Sequence, residues 1–232
     1  MRQLIDFNIT NYCNAKCPTC KRFDAVKYLE VDKNLKVFHM DYDKFKIAVE
    51  SNTEYFKKTE CYFCGEFGDP MMHPKIKDFV ETANNVFNGV TVFTNGGLNR
   101  SEFIDYVANT QGVIVRFGID GLTHDINNLY RIGVNTELAY KNMLDLAKYG
   151  KAKWDYTLFE HNKHEAEDAI KFALDNNIKL MLRCNLRPSK FGVNRITNQD
   201  YLDFKKIAEK YDREAKMNML EFDTFWINYN ES

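Results

Sequence analysis

The chain has 232 residues, the length of one ordinary domain and enough to bury a sizeable core. Its composition is 44% hydrophobic, 28% charged and 14% aromatic, which excludes a disordered, collagen-like or coiled-coil protein. The 32 basic and 33 acidic residues leave a formal net charge of −1, so we expect neither a large nucleic acid nor an anionic membrane surface as partner.

Strand and helix patterns alternate along the whole sequence. Short β-type runs predict strands at residues 4–9, 60–64, 90–94, 113–119, 153–159 and 178–184. Apolar residues at helical spacing predict helices within residues 45–56, 76–87, 102–108, 140–147, 166–173 and 202–211. Aromatic residues remain frequent after the last helix, so we expect residues 212–232 to form a tail that packs on a domain of residues 1–211.

Six strand–helix units predict an α/β fold, a parallel sheet covered by helices. A complete eight-unit barrel needs about 250 residues, so a partial (β/α)6 barrel or a doubly wound open sheet remains. In both architectures, ligands bind at the carboxyl ends of the strands. The unusual residues follow those ends: Cys13, Cys17 and Cys20 after the first strand, Glu66, Gly68 and Asp69 after the second, Thr94 and Asn95 after the third, Asp120 after the fourth and Asn162 after the fifth.

The three clustered cysteines, Cys13, Cys17 and Cys20, have the spacing C-x3-C-x2-C. No signal peptide and no apolar run of about 18 residues occurs, so we expect a soluble, cytoplasmic protein that does not enter a membrane. In a reducing compartment such a cluster indicates a metal site or catalysis rather than disulfides. Thiolates select zinc, copper(I) or iron–sulfur clusters, and an iron–sulfur cube with three protein thiolates keeps one iron free for another ligand.

A four-thiolate zinc module is the alternative of another class. Cys17 and Cys20 form one C-x2-C pair, and Cys61 and Cys64 form a second pair. The gap between the pairs is longer than usual for a zinc site, and an offset of three on a strand sends two side chains to opposite faces. This module would also leave Cys13 without a role.

The C-x3-C-x2-C motif after the first strand of a partial barrel resembles the radical SAM superfamily, and most closely its SPASM/twitch subgroup. The similarity extends over about residues 4–187. It implies a partial (β/α)6 barrel and an enzyme in which Cys13, Cys17 and Cys20 bind a [4Fe–4S] cluster. The amino and carboxylate groups of S-adenosylmethionine would chelate the fourth iron. One-electron reduction then cleaves the sulfonium, and the 5′-deoxyadenosyl radical abstracts hydrogen from the substrate. Thr19 stands where the family usually has an aromatic residue.

The resemblance also implies which residues contact S-adenosylmethionine. The turn that contains Gly68 and Asp69 resembles the family's G-G-E-P turn, which meets the amino group, and Glu66 is near enough to share that role. Asp120 belongs to a segment similar to the family's S-x-D-G. Its serine, which often touches the methionine carboxylate, is Gly118 here, so we expect Arg131, or otherwise Arg116, to bind the carboxylate.

Two further strand ends have competing interpretations. Thr94 and Asn95 present a hydroxyl and an amide to the cofactor, or they belong to a plain Asn-Gly turn. Asn162 lies in a segment that resembles the subgroup's H-N-x-x-E and implies a ribose contact. Asn162 and Glu165 also have the spacing of a helix N-cap and capping box.

The resemblance leaves the substrate open. A peptide or small molecule is the first expectation, and a nucleotide or deazapurine precursor is the alternative. The chemistry requires a reducing partner such as flavodoxin or ferredoxin. No cysteine follows Cys184, so we expect no C-terminal extension with an auxiliary cluster. We assign no catalytic residue and no function to Cys61, Cys64 and Cys184, which as free cysteines are more often small buried hydrophobes than ligands.

Overall fold

The structure, a computed structural model, describes residues 3–23, 27–184, 194, 196–215 and 220–222. The predicted packing of Phe225, Trp226 and Tyr229 in the tail lies outside these residues. Within them, no helix combines the length and the apolar character that are needed to cross a bilayer.

A single parallel sheet forms the centre of the molecule. Its strands lie side by side in the order in which they occur along the chain. They are β1 (Gln3–Asp6), β2 (Thr59–Phe63), β3 (Gly89–Thr94), β4 (Val113–Gly118), β5 (Ala152–Leu158), β6 (Lys179–Cys184) and β7 (Leu220–Phe222). A doubly wound sheet reverses its strand order at a switch point, and this sheet does not. The predicted partial barrel is therefore confirmed.

Helices connect the strands. They are α1 (Tyr42–Glu50), α2 (Thr53–Phe56), α3 (Ile76–Val86), α4 (Ser101–Asn109), α5 (His124–Tyr130), α6 (Thr136–Ala147), α7 (Ala166–Asp175) and α8 (Asn198–Ala215). α8 continues beyond residue 211 to Ala215, and β7 pairs with β6. Helix and sheet thus both extend into residues that the sequence analysis gave to the tail.

Two helical regions differ from the sequence prediction. The helix expected across residues 45–56 is divided into α1 and α2, because the Asn52 amide donates back to Ala48 O at 2.7 Å and closes the first segment. α5 was not predicted. Its buried side is formed by Asn127 rather than by an apolar stripe, so hydrophobic periodicity gives no signal.

The two faces of the sheet have opposite character, and this difference positions the site. On β4 and β5 every second residue is fully or almost fully buried among the helices, with Trp154 and Tyr156 of β5 the largest. The alternate residues point to the other, concave face, as a period of two requires. There β4 carries Arg116 and β5 carries Lys153 and Asp155.

Candidate active site

One cavity of about 210 Å³ opens on the concave side, at the carboxyl ends of the strands. Its walls include most of the residues that the sequence singled out. They are Cys13, Cys17 and Cys20 from the loop after β1, Gly68 and Asp69 after β2, Thr94 and Asn95 at the end of β3, and Arg131 after α5. Residues predicted separately, from four segments of the chain, thus meet at one place.

The cysteine loop is folded around its own backbone. Cys20 N donates to Cys17 O at 3.0 Å, and Ala15 N donates to Cys13 Sγ at 3.3 Å. The guanidinium of Arg22 is buried beneath the loop, where it donates to Cys13 O at 3.0 Å and also to Ala15 O. A buried cation therefore fixes the carbonyl groups of the segment that carries the first thiol.

Burial raises the pKa of the Cys13 thiol to about 12 and that of the Cys17 thiol to about 11. Asp69 adds to the shift at Cys13, whereas Arg131 opposes it at Cys17. Both side chains are neutral thiols near pH 7 in the metal-free chain. Since thiolates are the metal ligands, binding of a metal centre here must release protons.

The four-cysteine zinc alternative does not agree with the geometry of β2. Cys61 is completely buried on the helix side of the sheet, whereas Cys64 lines the cavity. In the part of the chain that the structure describes, no three His, Cys, Asp or Glu side chains are grouped closely enough to hold one metal ion. A [4Fe–4S] cluster does not require three side chains that meet at one metal ion, because each cysteine binds a different iron atom.

Asp69 joins the loops after β2 and β3. Its carboxylate is almost fully buried and accepts from Met71 N at 2.9 Å, from Thr94 Oγ1 at 2.9 and 3.0 Å, and from Asn95 N at 2.8 Å and Nδ2 at 2.7 Å. Asn95 Nδ2 also donates to Asn14 Oδ1 at 2.8 Å, in the cysteine loop. Burial raises the pKa of Asp69, although these donors oppose the shift. Thr94 and Asn95 therefore do not only form a turn: both donate hydrogen bonds to the Asp69 carboxylate.

Gly68 lets the loop after β2 approach the cysteine loop closely. A Cβ atom at this position would lie 2.4 Å from Thr10 O and 2.7 Å from the Cα atom of Asn11. Both neighbours are backbone atoms that cannot move aside cheaply, so only glycine fits.

Arg131 forms a buried ion pair on the opposite wall. Its Nε donates to Asp120 Oδ2 at 2.6 Å, and the other carboxylate oxygen of Asp120 accepts from Thr157 N at 2.7 Å. Asp120 itself is completely buried and does not line the cavity. A Cβ atom on Gly118 would stand 2.7 Å from Arg131 Nη2, so the glycine leaves room for the guanidinium.

Two other predicted contacts lie away from the cavity. Asn162 is completely buried, and its amide donates to Asp120 O and Thr157 O at 2.8 Å and accepts from Phe159 N at 2.7 Å. Asn162 stands at the N-cap position of the short 3-10 helix Lys163–Glu165, but its side chain makes no capping hydrogen bond. Glu66 is half-exposed and pairs with Lys21 at the surface.

An aromatic ring stands beside Thr19, where the family pattern has an aromatic residue in the loop itself. The Tyr130 hydroxyl lies 2.8 Å from Thr19 Oγ1, and the Tyr130 ring contacts Phe159 with centroids 4.4 Å apart. α5 thus brings a ring to the cysteine loop from a distant part of the sequence.

The sequence analysis missed a charged group on the concave wall. Arg116, Asp155 and Arg183 line the cavity together with Thr157 and Phe93. Arg116 had been considered only as a second choice for a carboxylate contact. The available signal was the presence of charged residues at alternate positions in three otherwise apolar strands.

Comparison with known proteins identifies the family. The model of the radical SAM superfamily matches residues 7–173, more than half of the chain. A tungsten-containing aldehyde ferredoxin oxidoreductase cofactor-modifying protein from Pyrococcus furiosus is 24% identical over 211 residues, which are 87% of this chain and 57% of that protein.

Solved structures show the same fold. SuiB from Streptococcus suis, bound to S-adenosylmethionine, has a TM-score of 0.71 at 14% identity over 96% of this chain and 50% of SuiB. A radical SAM methyltransferase from Sphaerobacter thermophilus has a TM-score of 0.62 at 15% identity over 94% of this chain and 66% of that chain. The chain thus spans about half the length of SuiB and of the Pyrococcus relative. It belongs to the radical SAM superfamily, whose enzymes use a [4Fe–4S] cluster and S-adenosylmethionine.

Proposed function

We propose that Cys13, Cys17 and Cys20 hold the [4Fe–4S] cluster and that S-adenosylmethionine binds in the adjoining cavity. The observation that carries this proposal is the convergence of all three thiols and the strand-end residues on one cavity. A single tight loop supplies the three thiolates, and Arg22 fixes this loop by donating to Cys13 O and Ala15 O. Soft sulfur donors of this kind suit an iron–sulfur centre.

The charges in the cavity suit the zwitterionic end of S-adenosylmethionine. Asp69 is held at the cavity wall by neutral donors, and its carboxyl oxygens are the acceptors that we assign to the amino group. Arg131 uses Nε for Asp120, and its terminal nitrogens lie at the cavity wall beside Gly118. Guanidinium groups bind carboxylates in a bidentate manner. Arg131 therefore binds the methionine carboxylate, while Gly68, Thr94 and Asn95 shape the opposite side together with Asp69.

The buried polar residues behind the cavity orient this wall. Asp120 holds Arg131, and Asn162 ties the backbone of Asp120 to the end of β5. The two cofactors together supply one-electron cleavage of the sulfonium and hydrogen abstraction from a substrate, and the protein orients the reacting groups and excludes water. An electron donor of the flavodoxin or ferredoxin type is therefore required.

The substrate class that we propose is a peptide or a small molecule. SuiB has been solved bound to the precursor peptide SuiA, and the Pyrococcus relative is named for modification of a cofactor. The nucleotide or deazapurine alternative stays a prediction from the sequence.

Anaerobic reconstitution with iron and sulfide tests the proposal. We expect a brown protein that yields 5′-deoxyadenosine from S-adenosylmethionine when it is reduced. Cys13→Ala should lose at least about tenfold in bound iron and in 5′-deoxyadenosine, because one thiolate ligand is removed.

Cys61→Ala is the matched control, because Cys61 is a buried thiol on the other face of the sheet. It should retain iron. A colourless protein with one zinc, lost in Cys61→Ala and kept in Cys13→Ala, would contradict the proposal and support the zinc module.

A further inference from the structure

Three charged side chains of adjacent strands meet on the concave wall of the cavity. Arg116 lies on β4, Asp155 on β5 and Arg183 on β6, each at a position that faces away from the helices. Within the residues that the structure describes, the hydrogen bonds of Arg116 run to Asp155, and not to the cysteine loop or to Asp69. They form a separate group, which we name the β4–β6 triad.

Arg116 is the least exposed member of this triad. Its Nε donates to Asp155 Oδ1 at 3.1 Å, and its Nη2 also donates to that oxygen. The guanidinium carbon lies 5.1 Å from the centroid of the Phe93 ring. Within the part of the chain that the structure describes, Nη1 is not used in these hydrogen bonds. Arg116 is therefore oriented by protein contacts and still has N–H groups to offer.

Asp155 orients a second guanidinium as well. Its other oxygen, Oδ2, accepts from Arg183 Nε at 3.2 Å. The side chain of Asp155 is 13% exposed, whereas that of Arg183 is 36% exposed. One buried carboxylate thus places two planar cations side by side along the wall. Shared positioning of this kind lowers the entropy that a ligand must overcome to collect both donors.

A charged triad at this place has a desolvation cost that apolar side chains would avoid. Arg116 is only 11% exposed, and buried ion pairs are often no more stabilising than apolar residues of similar volume. β4 has an apolar side chain, Ile114, at the preceding position on the same face. A binding role explains why three neighbouring strands carry charges here.

The methionine carboxylate of S-adenosylmethionine is already accounted for by Arg131. Arg131 pairs with Asp120, whereas Arg116 and Arg183 pair with Asp155, so the two sets of guanidinium groups have separate anchors. All three arginines line the same cavity. The cavity therefore offers cations for a second anionic group in addition to the cofactor.

We propose that the β4–β6 triad binds an anionic group of the substrate, a carboxylate or a phosphate, through Arg116 and Arg183, and that Asp155 is the positioning residue. Guanidinium groups match both oxyanions in a bidentate geometry. The identification of the bound molecule as the substrate rests on the function proposed above, whereas the anion site itself does not.

The test measures thermal unfolding of the reconstituted full chain by circular dichroism, with inorganic phosphate or succinate as the probe and S-adenosylmethionine at saturation. Ligand binding to the folded state raises Tm according to its dissociation constant. We expect a saturable rise in Tm, with a dissociation constant that increases at least tenfold in Arg116→Gln and severalfold in Arg183→Gln. Tenfold preference for phosphate indicates a phosphorylated substrate, and the reverse preference indicates a carboxylate.

Lys148→Gln is the matched control, because it removes one positive charge from the exposed C-terminal end of α6, which leads into the amino end of β5, whereas the cavity lies at the carboxyl ends of the strands. It should leave the affinity for phosphate and succinate unchanged. Asp155→Asn should weaken the same affinity severalfold while both arginines remain. If Arg116→Gln proves too unstable to measure, Arg116→Lys, which keeps the charge but loses the planar fork, gives the same test with a smaller effect.

Three results would overturn the proposal. The first is an equal response of Arg116→Gln and Lys148→Gln to the probes. The second is disappearance of the wild-type response when S-adenosylmethionine is added, since the anion then occupies the cofactor site. The third is a larger loss of S-adenosylmethionine affinity in Arg116→Gln than in Arg131→Gln. The Cys13→Ala variant should still bind the probe, so failure of the cluster assignment and failure of the anion site are distinguishable.

Discussion

The two walls of the cavity satisfy their buried carboxylates in different ways. On the wall above β2 and β3, Asp69 accepts, within the described residues, from backbone N–H groups, the Thr94 hydroxyl and the Asn95 amide. On the wall above β4 to β6, Asp120 pairs with Arg131, and Asp155 pairs with Arg116 and Arg183. Neutral donors solvate a charge without cancelling it, whereas guanidinium groups compensate it.

This difference gives the two walls of the cavity different electrostatic properties. The first wall carries the Asp69 carboxyl group and lies beside the cysteine loop, where burial and then Asp69 raise the pKa of Cys13. The second wall is lined by guanidinium groups. A ligand that carries both an ammonium and a carboxylate is therefore held in one orientation, and specificity follows from placing opposite charges on opposite sides.

Removal of Asp69 should have the largest effect on stability. In Asp69→Ala the N–H of Met71, the hydroxyl of Thr94 and the N–H of Asn95 lose a buried acceptor, and each unsatisfied donor costs about 1–3 kcal/mol. We expect the free energy of unfolding to fall by about 3 kcal/mol or more in urea titrations. Asp69→Asn keeps one acceptor oxygen and should lose less. A loss below about 1 kcal/mol in Asp69→Ala would show that the network is dispensable.

Removal of Arg131 should have the second-largest effect on stability, because it breaks the ion pair with Asp120 on the other wall. Loss of one partner of a buried pair costs about 3–5 kcal/mol, and we expect about 2 kcal/mol here since the Arg131 side chain is 21% exposed. Arg131→Gln should also weaken S-adenosylmethionine binding at least tenfold in equilibrium dialysis.

Arg131→Lys serves as the control for charge alone, because it retains the cation but cannot reach Asp120 and a carboxylate in the same planar manner. Its affinity for S-adenosylmethionine should lie between those of the wild type and Arg131→Gln. Unchanged cofactor affinity in both variants would remove Arg131 from the binding site.

The sequence was informative where chemistry follows short motifs or strand ends. The cysteine spacing and the alternation of strands and helices predicted the partial barrel and the cavity edge, and Asp69, Thr94 and Asn95 were identified because turns punctuate strands. Asp155 was missed because its partners, Arg116 and Arg183, are distant in sequence and meet it only through strand register. Likewise, only tertiary structure reveals that the Asn162 side chain, although at an N-cap position, makes no capping hydrogen bond and donates to Asp120 O instead.

Gly118→Ala tests how closely Arg131 is positioned. The added Cβ would stand 2.7 Å from Arg131 Nη2, the far end of a flexible side chain that can move. We expect stability to change by no more than about 1 kcal/mol, a modest single-mutant effect, and S-adenosylmethionine affinity to fall severalfold in equilibrium dialysis. Gly89→Ala is a suitable control, since its Cβ would meet only Gly112 O at 3.8 Å. Equal cofactor affinity in both variants would mean that Arg131 tolerates displacement.

The smallest effect should come from the surface pair of Lys21 and Glu66, whose side chains are 54% and 43% exposed. Exposed ion pairs contribute about 0–1 kcal/mol because water and salt screen them. We expect Glu66→Gln and Lys21→Gln to change the free energy of unfolding by less than about 0.5 kcal/mol. Glu66→Gln can then be compared with Asp69→Asn, two carboxylates of one loop, in S-adenosylmethionine binding. We expect Glu66→Gln to lower the affinity for S-adenosylmethionine less than threefold and Asp69→Asn to lower it more, because Asp69 is the main partner of the amino group. A larger loss of affinity in Glu66→Gln would assign that role to Glu66.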